Sequence, residues 1–223
     1  MTVRIKAAAV AAGLLLAATS ACGSRGGSAI VQPNAVDIGF AQDMSVHHEQ
    51  TVLMSQIALR NGTQEIRDLA TSILSEQSQE IGAMRGWLLV WGQPPVDPSP
   101  MGWMGMTAAT VAPMPSMPGM ASMPGMSMPS APADPNSMTS VLMPGMATPD
   151  QMLQLYNAHG KAFDILFCKL MIAHHLGGIQ MAQAAVKDHA GSLVSNAAQQ
   201  MVTGQYEEIG LLRAVLAVDG VKS

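Results

Sequence analysis

The sequence has little charge and few aromatic side chains. Of its 223 residues, only 12% are charged and 4% are aromatic, and the formal net charge is −4. So few basic residues leave no positively charged patch of the kind that binds nucleic acid. The length allows one domain of ordinary size with appendages. We therefore expect a single domain and exclude nucleic acid as a partner.

The first residues have the pattern of an export signal. Two basic residues precede an apolar stretch over residues 7–18, which is too short to span a bilayer. The sequence Thr19-Ser20-Ala21-Cys22 that follows resembles a bacterial lipobox, in which the cysteine receives a lipid. An ordinary secretory signal cut near Ala21 is the alternative.

These features predict an exported protein. We expect residues 1–21 to be a signal peptide, Cys22 to be lipidated, and residues 22–34 to be a flexible tether. The lipid would anchor the chain to the outer face of the cell membrane. Cys168 would then be left alone, so that no intramolecular disulfide could form.

One sequence pattern occurs twice, with the copies 127 residues apart. Asp37-x-x-Phe40-x-x-x-Met44-x-x-His47-His48 is followed by Met54, and Asp164-x-x-Phe167-x-x-x-Met171-x-x-His174-His175 is followed by Met181. Such a duplication indicates one structural unit used twice. The unit carries four of the six histidines, and imidazole with thioether is a ligand set that copper selects. We predict a metal site formed by Met44, His47, His48, Met54, Met171, His174, His175 and Met181.

Helical periodicity surrounds both copies. Apolar residues recur at helical spacing in residues 35–92 and 148–220, and turn residues interrupt each range once, which predicts two helical hairpins. The second hairpin opens at Thr148 followed by Pro149, and its first helix is expected to run to about His189. Because each hairpin is apolar on one face, the two must cover one another. This predicts an all-α four-helix bundle.

Residues 93–147, between the hairpins, differ in composition. They hold twelve of the twenty methionines, with prolines and glycines between them, as in Met117-Pro118-Gly119-Met120. Such a sequence cannot form a regular helix or bury a core, so we expect a disordered insert. A role as spacer would explain the prolines and glycines. It would not explain exposed, oxidisable thioethers, which favour capture of Cu(I) or Ag(I).

Helix geometry limits which of the predicted ligands can share one ion. The ligands of each copy lie on one face of a helix, but Met44 and Met54 are about 15 Å apart along its axis. If the first helices of the two hairpins pack antiparallel, Met181 falls near Met44, Met54 falls near Met171, and the four histidines gather between them. Core packing is the alternative role for the methionines. Cys168 shares the face and is a small buried hydrophobe or a further ligand.

The duplicated pattern resembles the family called domain of unknown function 305, whose members are exported bacterial proteins. Its hallmark is Phe-x-x-x-Met-x-x-His-His followed by Met, then Gln-x-x-Glu-Ile in a second helix, and both residues 35–92 and 149–220 match. The resemblance implies a ferritin-like bundle, a link to copper binding or tolerance, and the eight ligands named above. The long insert departs from the family's compact domain.

Iron chemistry does not fit the residues. Di-iron bundles need Glu-x-x-His on two helices, and none of the six glutamates here stands three residues before a histidine. The sequence also has no nucleophile with a base and no cofactor loop, so we expect binding without catalysis.

Three classes of function stay open. The first is a copper-binding lipoprotein that sequesters the ion or passes it to a copper-transfer protein. The second is a copper-dependent oxidase. The third is a structural bundle whose histidines only pack. We favour the first, with Cu(I) as the main ion and Ag(I) or Cu(II) as others. Because imidazole must lose a proton before it binds metal, histidine-bound ions are expected to leave below about pH 6.5.

Overall fold

The described part of the chain is built from helices and contains no strand. The computed structural model describes residues 32–106, 143–188, 190–218 and 220. The α-helices are α1 (Ala35–Asn61), α2 (Gln64–Val90), α3 (Pro149–Asn157), α4 (Gly160–Lys187) and α5 (Ser192–Val218), and a 3-10 helix spans Gly102–Met104. The predicted all-α bundle is confirmed.

Several predictions fall outside the described residues. They are the signal peptide over residues 1–21, the lipidated Cys22, the tether up to residue 31 and residues 107–142 of the insert.

Helices α1 and α4 form the centre of the bundle. α1 pairs with α2 and α4 pairs with α5 as two hairpins, and α1 also packs along α4. The duplicated phenylalanines, Phe40 on α1 and Phe167 on α4, are fully buried. Burial of such large apolar side chains favours the packing of one hairpin on the other.

Capping boxes fix the starts of α1 and α3. Asn34 Oδ1 accepts a hydrogen bond from Asp37 N at 3.0 Å, and the Asp37 carboxylate accepts one from Asn34 N at 2.9 Å. Thr148 and Gln151 form the same reciprocal pair, and Pro149 stands at the start of α3. These bonds satisfy N–H groups that a helix start leaves without partners. The predicted helix start at Thr148 and Pro149 is confirmed.

The duplicated aspartates connect the two hairpins. Asp37, at the start of α1, accepts a hydrogen bond from Gly191 N at 2.7 Å, in the turn between α4 and α5. Asp164, at the start of α4, accepts one from Thr63 N at 3.0 Å, in the turn between α1 and α2. Each of these helices therefore begins beside the turn of the other hairpin. It follows that α1 and α4 run antiparallel about a pseudo-two-fold axis.

Replacement of Asp37 or Asp164 by alanine is expected to lower the free energy of unfolding by about 1–3 kcal/mol, because a turn N–H loses its charged acceptor. Urea denaturation at pH 7.5 measures the change. Asp68→Ala is the matched control, since Asp68 is exposed on α2 and accepts a bond from the side chain of Gln64. We expect that control to stay within about 0.5 kcal/mol of the unmodified protein. Equal losses in the free energy of unfolding for Asp37→Ala, Asp164→Ala and Asp68→Ala would contradict a special role for the duplicated aspartates.

The first helix of the second hairpin is broken, where one continuous helix was predicted. α3 ends at Asn157, His159 is extended with φ −142°, and Gly160 opens α4 with φ +55°. A positive φ favours glycine, so Gly160 allows the change of direction between the two helices. The break was missed because apolar residues keep helical spacing on both sides of it.

The ends of the predicted insert also differ from the expectation of disorder. Residues 93–106 and 143–147 pack on the bundle, and Met101 and Met143 are buried. Gln42 Nε2 donates to Pro94 O at 2.8 Å, and the Asp43 carboxylate accepts from Met101 N at 2.7 Å and from Trp103 Nε1 at 2.9 Å. Buried apolar side chains and satisfied polar groups supply the order that composition alone did not predict.

Helix α4 is apolar for a structural reason. By length and composition it alone among the described helices could cross a membrane, with a mean hydropathy of 1.3. However, 67% of its most apolar window is buried inside the bundle. Packing against α1 and α5 therefore explains its composition.

Candidate metal centre

All eight predicted ligands lie on α1 and α4 and are buried. The four methionines are fully buried, and the four histidines are at most 1% exposed. Imidazole is rarely buried without partners, because its polar nitrogens must be satisfied or used. The structure thus brings together side chains that are 127 residues apart in sequence.

The two copies meet at His47 and His174. Their ring centroids are 3.8 Å apart, with an angle of 37° between the ring planes. We call these two the inner histidines and their neighbours, His48 and His175, the outer ones. The ring centroids of His47 and His48 are 6.2 Å apart, and those of His174 and His175 are 6.4 Å apart. The histidines therefore gather about the pseudo-two-fold axis, as the antiparallel arrangement predicts.

The outer histidines are each held by a carboxylate from the neighbouring helix. His48 Nε2 donates to Glu80 at 2.8 Å, and His175 Nε2 donates to Glu208 at 2.6 Å. A carboxylate that accepts from one imidazole nitrogen fixes the ring and leaves the lone pair on the other nitrogen. In both rings that other nitrogen is Nδ1.

The inner histidines have neutral hydrogen-bond partners. His47 Nε2 donates to the carbonyl oxygen of Pro144 at 3.0 Å, and His174 Nδ1 is 3.1 Å from Thr51 Oγ1. Thr51 corresponds to Gly178 in the other copy, where the side chain of Gln205 packs against the glycine. The two halves of the centre are therefore equivalent in their histidines but differ in the residues around them.

Each histidine has one buried ring nitrogen without a hydrogen-bond partner. These atoms are His47 Nδ1, His48 Nδ1, His174 Nε2 and His175 Nδ1. A buried polar atom without a partner is costly, and native proteins contain few of them. Imidazole nitrogens that are free of hydrogen bonds are potential donors to a metal ion.

Burial keeps the inner histidines neutral. It lowers the pKa of His47 from 6.5 to about 3, and neighbouring His48 acts in the same direction. Burial also lowers the pKa of His174 well below 6.5, and His47 adds to the effect. Protonation of these two rings in the folded chain is therefore expected only well below pH 6.5, the ordinary imidazole value on which the sequence prediction rests.

The methionines lie on either side of the histidines in two apolar clusters. Met44 and Met181 belong to one cluster, and Met54 and Met171 belong to the other. This is the pairing predicted for antiparallel first helices. Each cluster thus holds one predicted methionine ligand from each copy of the repeat.

Histidines and carboxylates do not suffice for a metal site here. Within the described ranges, no group of three or more His, Cys, Asp or Glu side chains is arranged to hold a metal ion. A metal site in this centre would therefore include a donor of another kind, and thioether sulfur is one such donor. Cys168 is buried in the cluster of Met54 and Met171, whereas His159 is exposed at the start of α4.

The sequence reasoning missed two residues of the centre, Glu80 and Glu208. The signal was present, because Gln77-Ser78-Gln79-Glu80-Ile81 is repeated as Gln205-Tyr206-Glu207-Glu208-Ile209 on the second helices. Pro144 could not have been found in this way, since its contact is made by a backbone carbonyl.

The segment Met143–Ala147 covers the inner histidines. Gln50 holds it through two hydrogen bonds, from Gln50 Nε2 to Ala147 O at 2.9 Å and from Ala147 N to Gln50 Oε1 at 2.6 Å. Gly177 permits the close approach, because any side chain there would collide with the carbonyl of Pro144. This segment helps to exclude water from the centre.

The fold and the site define a class of protein, an all-α bundle of two duplicated hairpins around a buried histidine and methionine centre. The family model DUF305, named for a domain of unknown function, matches residues 37–216. The chain belongs to this family, and the predicted resemblance is confirmed.

Solved structures share the fold. A DUF305 protein of Streptomyces coelicolor, classed as secreted, is 34% identical with a TM-score of 0.67, covering 84% of this chain and 96% of that one. A DUF305 fragment from Deinococcus radiodurans is 24% identical with a TM-score of 0.61, covering 83% and 98%. CopM in its Cu(II)-bound form is 22% identical with a TM-score of 0.51, covering 80% and 93%. No curated protein gives a significant match.

Proposed function

We propose that this protein binds copper, chiefly Cu(I), in the centre between α1 and α4. The observation that carries the proposal is the set of four buried imidazole nitrogens without partners, flanked by buried methionines. Imidazole nitrogen and thioether sulfur are donors that Cu(I) accepts, and Ag(I) and Cu(II) are further candidates. The ligands are Met44, His47, His48, Met54, Met171, His174, His175 and Met181.

The protonation of the inner histidines supports the proposal. A metal ligand must present a lone pair, and the lowered pKa values of His47 and His174 keep both rings neutral at physiological pH. Glu80 and Glu208 orient the outer rings in the way that carboxylates orient metal-bound histidines. The chain's own residues therefore position the donors before an ion arrives.

Relatives give further support. CopM has been solved with Cu(I) bound, with Cu(II) bound and with Ag bound. The Streptomyces coelicolor relative is described as secreted, which agrees with export of this chain. We propose that this chain is exported, anchored through Cys22, and sequesters copper or transfers it to a partner protein without catalysis.

Anaerobic titration of the full chain with Cu(I) against a competing chelator tests the proposal. We expect retained copper whose X-ray absorption spectrum contains both nitrogen and sulfur neighbours. Loss of all copper to a weak chelator would exclude the histidine centre. An X-ray absorption spectrum in which copper has only sulfur neighbours would exclude it as well. Oxidation of Cu(I) with turnover, faster than in buffer, would favour an oxidase over a binding protein.

Replacement of Glu80 and Glu208 together by alanine is expected to lower the copper affinity about 10- to 100-fold, since the outer imidazoles lose the groups that orient them. The same chelator competition measures the loss. Glu49→Ala is the matched control. Glu49 follows His48 in sequence, but it is exposed and pairs with Arg85 on the surface. An equal loss of copper affinity in Glu49→Ala would show that removal of negative charge in general, and not of the groups that orient the imidazoles, lowers the affinity.

A further inference from the structure

Methionine is concentrated at one end of the centre. The cluster of Met44 and Met181 contains six buried methionines and three half-buried ones packed against it, namely Met44, Met84, Met101, Met143, Met181, Met201, Met104, Met106 and Met146. The cluster at the other end has Met54 and Met171 as its buried methionines and Met152 packed against it. The two ends are related by the sequence repeat, yet they differ strongly in sulfur content.

Two of the added methionines come from opposite ends of the insert. Met101 is fully buried, and its N–H donates to the carboxylate of Asp43, the residue next to Met44. Met143 is 3% exposed and precedes Pro144, whose carbonyl accepts from His47, one helical turn beyond Met44. Both ends of the insert therefore place a thioether beside the first helix of the repeat.

The placement of Met101 is costly to the fold. Its φ of +64° is the only positive φ among the described non-glycine residues. Such a conformation costs of order 1–3 kcal/mol, which the surroundings must offset, whereas glycine would adopt it freely. Asp43, which fixes the backbone here, is itself a buried carboxylate. Burial of the Met101 side chain offsets a cost of this size, so that the bundle holds Met101 at a defined position.

We infer that Met101 and Met143 complete, with Met44 and Met181, a thioether-only site for a soft monovalent cation such as Ag(I) or Cu(I). This inference rests on the proposed function and deepens it, because it assigns two of the proposed ligands, Met44 and Met181, to a subsite whose other donors are also sulfur. Neutral sulfur donors bind soft ions without releasing a proton. The insert thus contributes to the folded bundle a site that the duplicated pattern alone does not supply.

Nuclear magnetic resonance of the full chain, labelled with carbon-13 in the methionine methyl groups, tests the inference. Ag(I) is added in chloride-free buffer at pH 7, and Met→Leu variants assign the signals. We expect the methyl signals of Met101, Met143, Met44 and Met181 to shift together with one equivalent of Ag(I). Met101→Leu with Met143→Leu keeps the apolar volume and is expected to weaken this site at least about tenfold. Met152→Leu, at the other end, is the control and should leave it unchanged.

A second variant separates this inference from the proposed function. It replaces the imidazoles by amides as His47→Gln, His48→Gln, His174→Asn and His175→Gln, and we expect it still to show the Ag(I) shifts of Met101 and Met143. Loss of those shifts in a folded variant would overturn a site made only of sulfur. If the unmodified chain retains copper but Ag(I) does not shift the methyl signals of Met101 and Met143, the inference is overturned and the histidine centre stands. A chain that binds neither ion would overturn both.

Discussion

A chain in which amides replace the four central imidazoles is expected to lose at least about a thousandfold in copper affinity. The substitutions are His47→Gln, His48→Gln, His174→Asn and His175→Gln. A glutamine amide can donate from nearly the position of Nε2, and an asparagine amide from that of Nδ1. The bonds to Pro144, Glu80, Glu208 and Thr51 can therefore persist. The affinity falls because amides do not replace the lost nitrogen ligands. Loss of the donor atoms themselves costs more than loss of the groups that orient them, which costs about 10- to 100-fold.

Chelator competition with Cu(I) measures the affinity, and circular dichroism checks that the helices remain. His159→Gln is the matched control, because this histidine is exposed at the start of α4, away from the centre. The central claim would be lost if the folded imidazole-free variant kept the stoichiometry and affinity of the unmodified chain.

Acid is expected to destabilise the metal-free protein strongly. In the unfolded chain His47 has a pKa near 6.5, whereas in the folded chain burial lowers it to about 3. Between these values the unfolded state binds the extra proton, so the free energy of unfolding falls as the pH drops from 6.5 towards 3. His47 alone removes about 2 kcal/mol by pH 5, since each pKa unit corresponds to about 1.4 kcal/mol. His174, whose pKa burial also lowers, adds to the loss.

Urea denaturation at pH 7.5 and pH 5, compared between the unmodified chain and His47→Gln, isolates this effect. The comparison is needed because burial raises the pKa of Asp43 from 3.8 to about 6, which works in the opposite direction. Above about pH 6 the ionised Asp43 destabilises the fold, and that cost disappears as the pH falls towards 3.8. The variant should lose about 2 kcal/mol less than the unmodified chain. Equal losses would show that His47 is not held neutral.

The sequence repeat predicted much of the fold and the centre. Apolar periodicity predicted the two hairpins, and the antiparallel packing of α1 on α4, which the sequence offered as a hypothesis, is the arrangement in the structure. The eight buried side chains of the centre followed from the same repeat. Their role as ligands remains a prediction.

Other features depend on contacts that no periodicity records. The break at Gly160 lies inside a range of continuous apolar spacing. The order of Met101 and Met143 comes from Asp43, Gln50 and the surface of the bundle, not from the local sequence of the insert. Glu80 and Glu208 lay inside a recognised repeat, but their partners became evident only when the second helices were packed beside the first.

The neutral inner histidines have a consequence for how bound copper would leave. Because these rings resist protonation while the bundle stays folded, protons and copper do not compete for them directly in mildly acidic solution. Acid acts instead on the folded state as a whole, by favouring the unfolded chain in which the rings are charged. Copper held by His47 and His174 would then be released as the bundle unfolds, with the folded fraction and the occupancy of these two rings falling together as the pH drops.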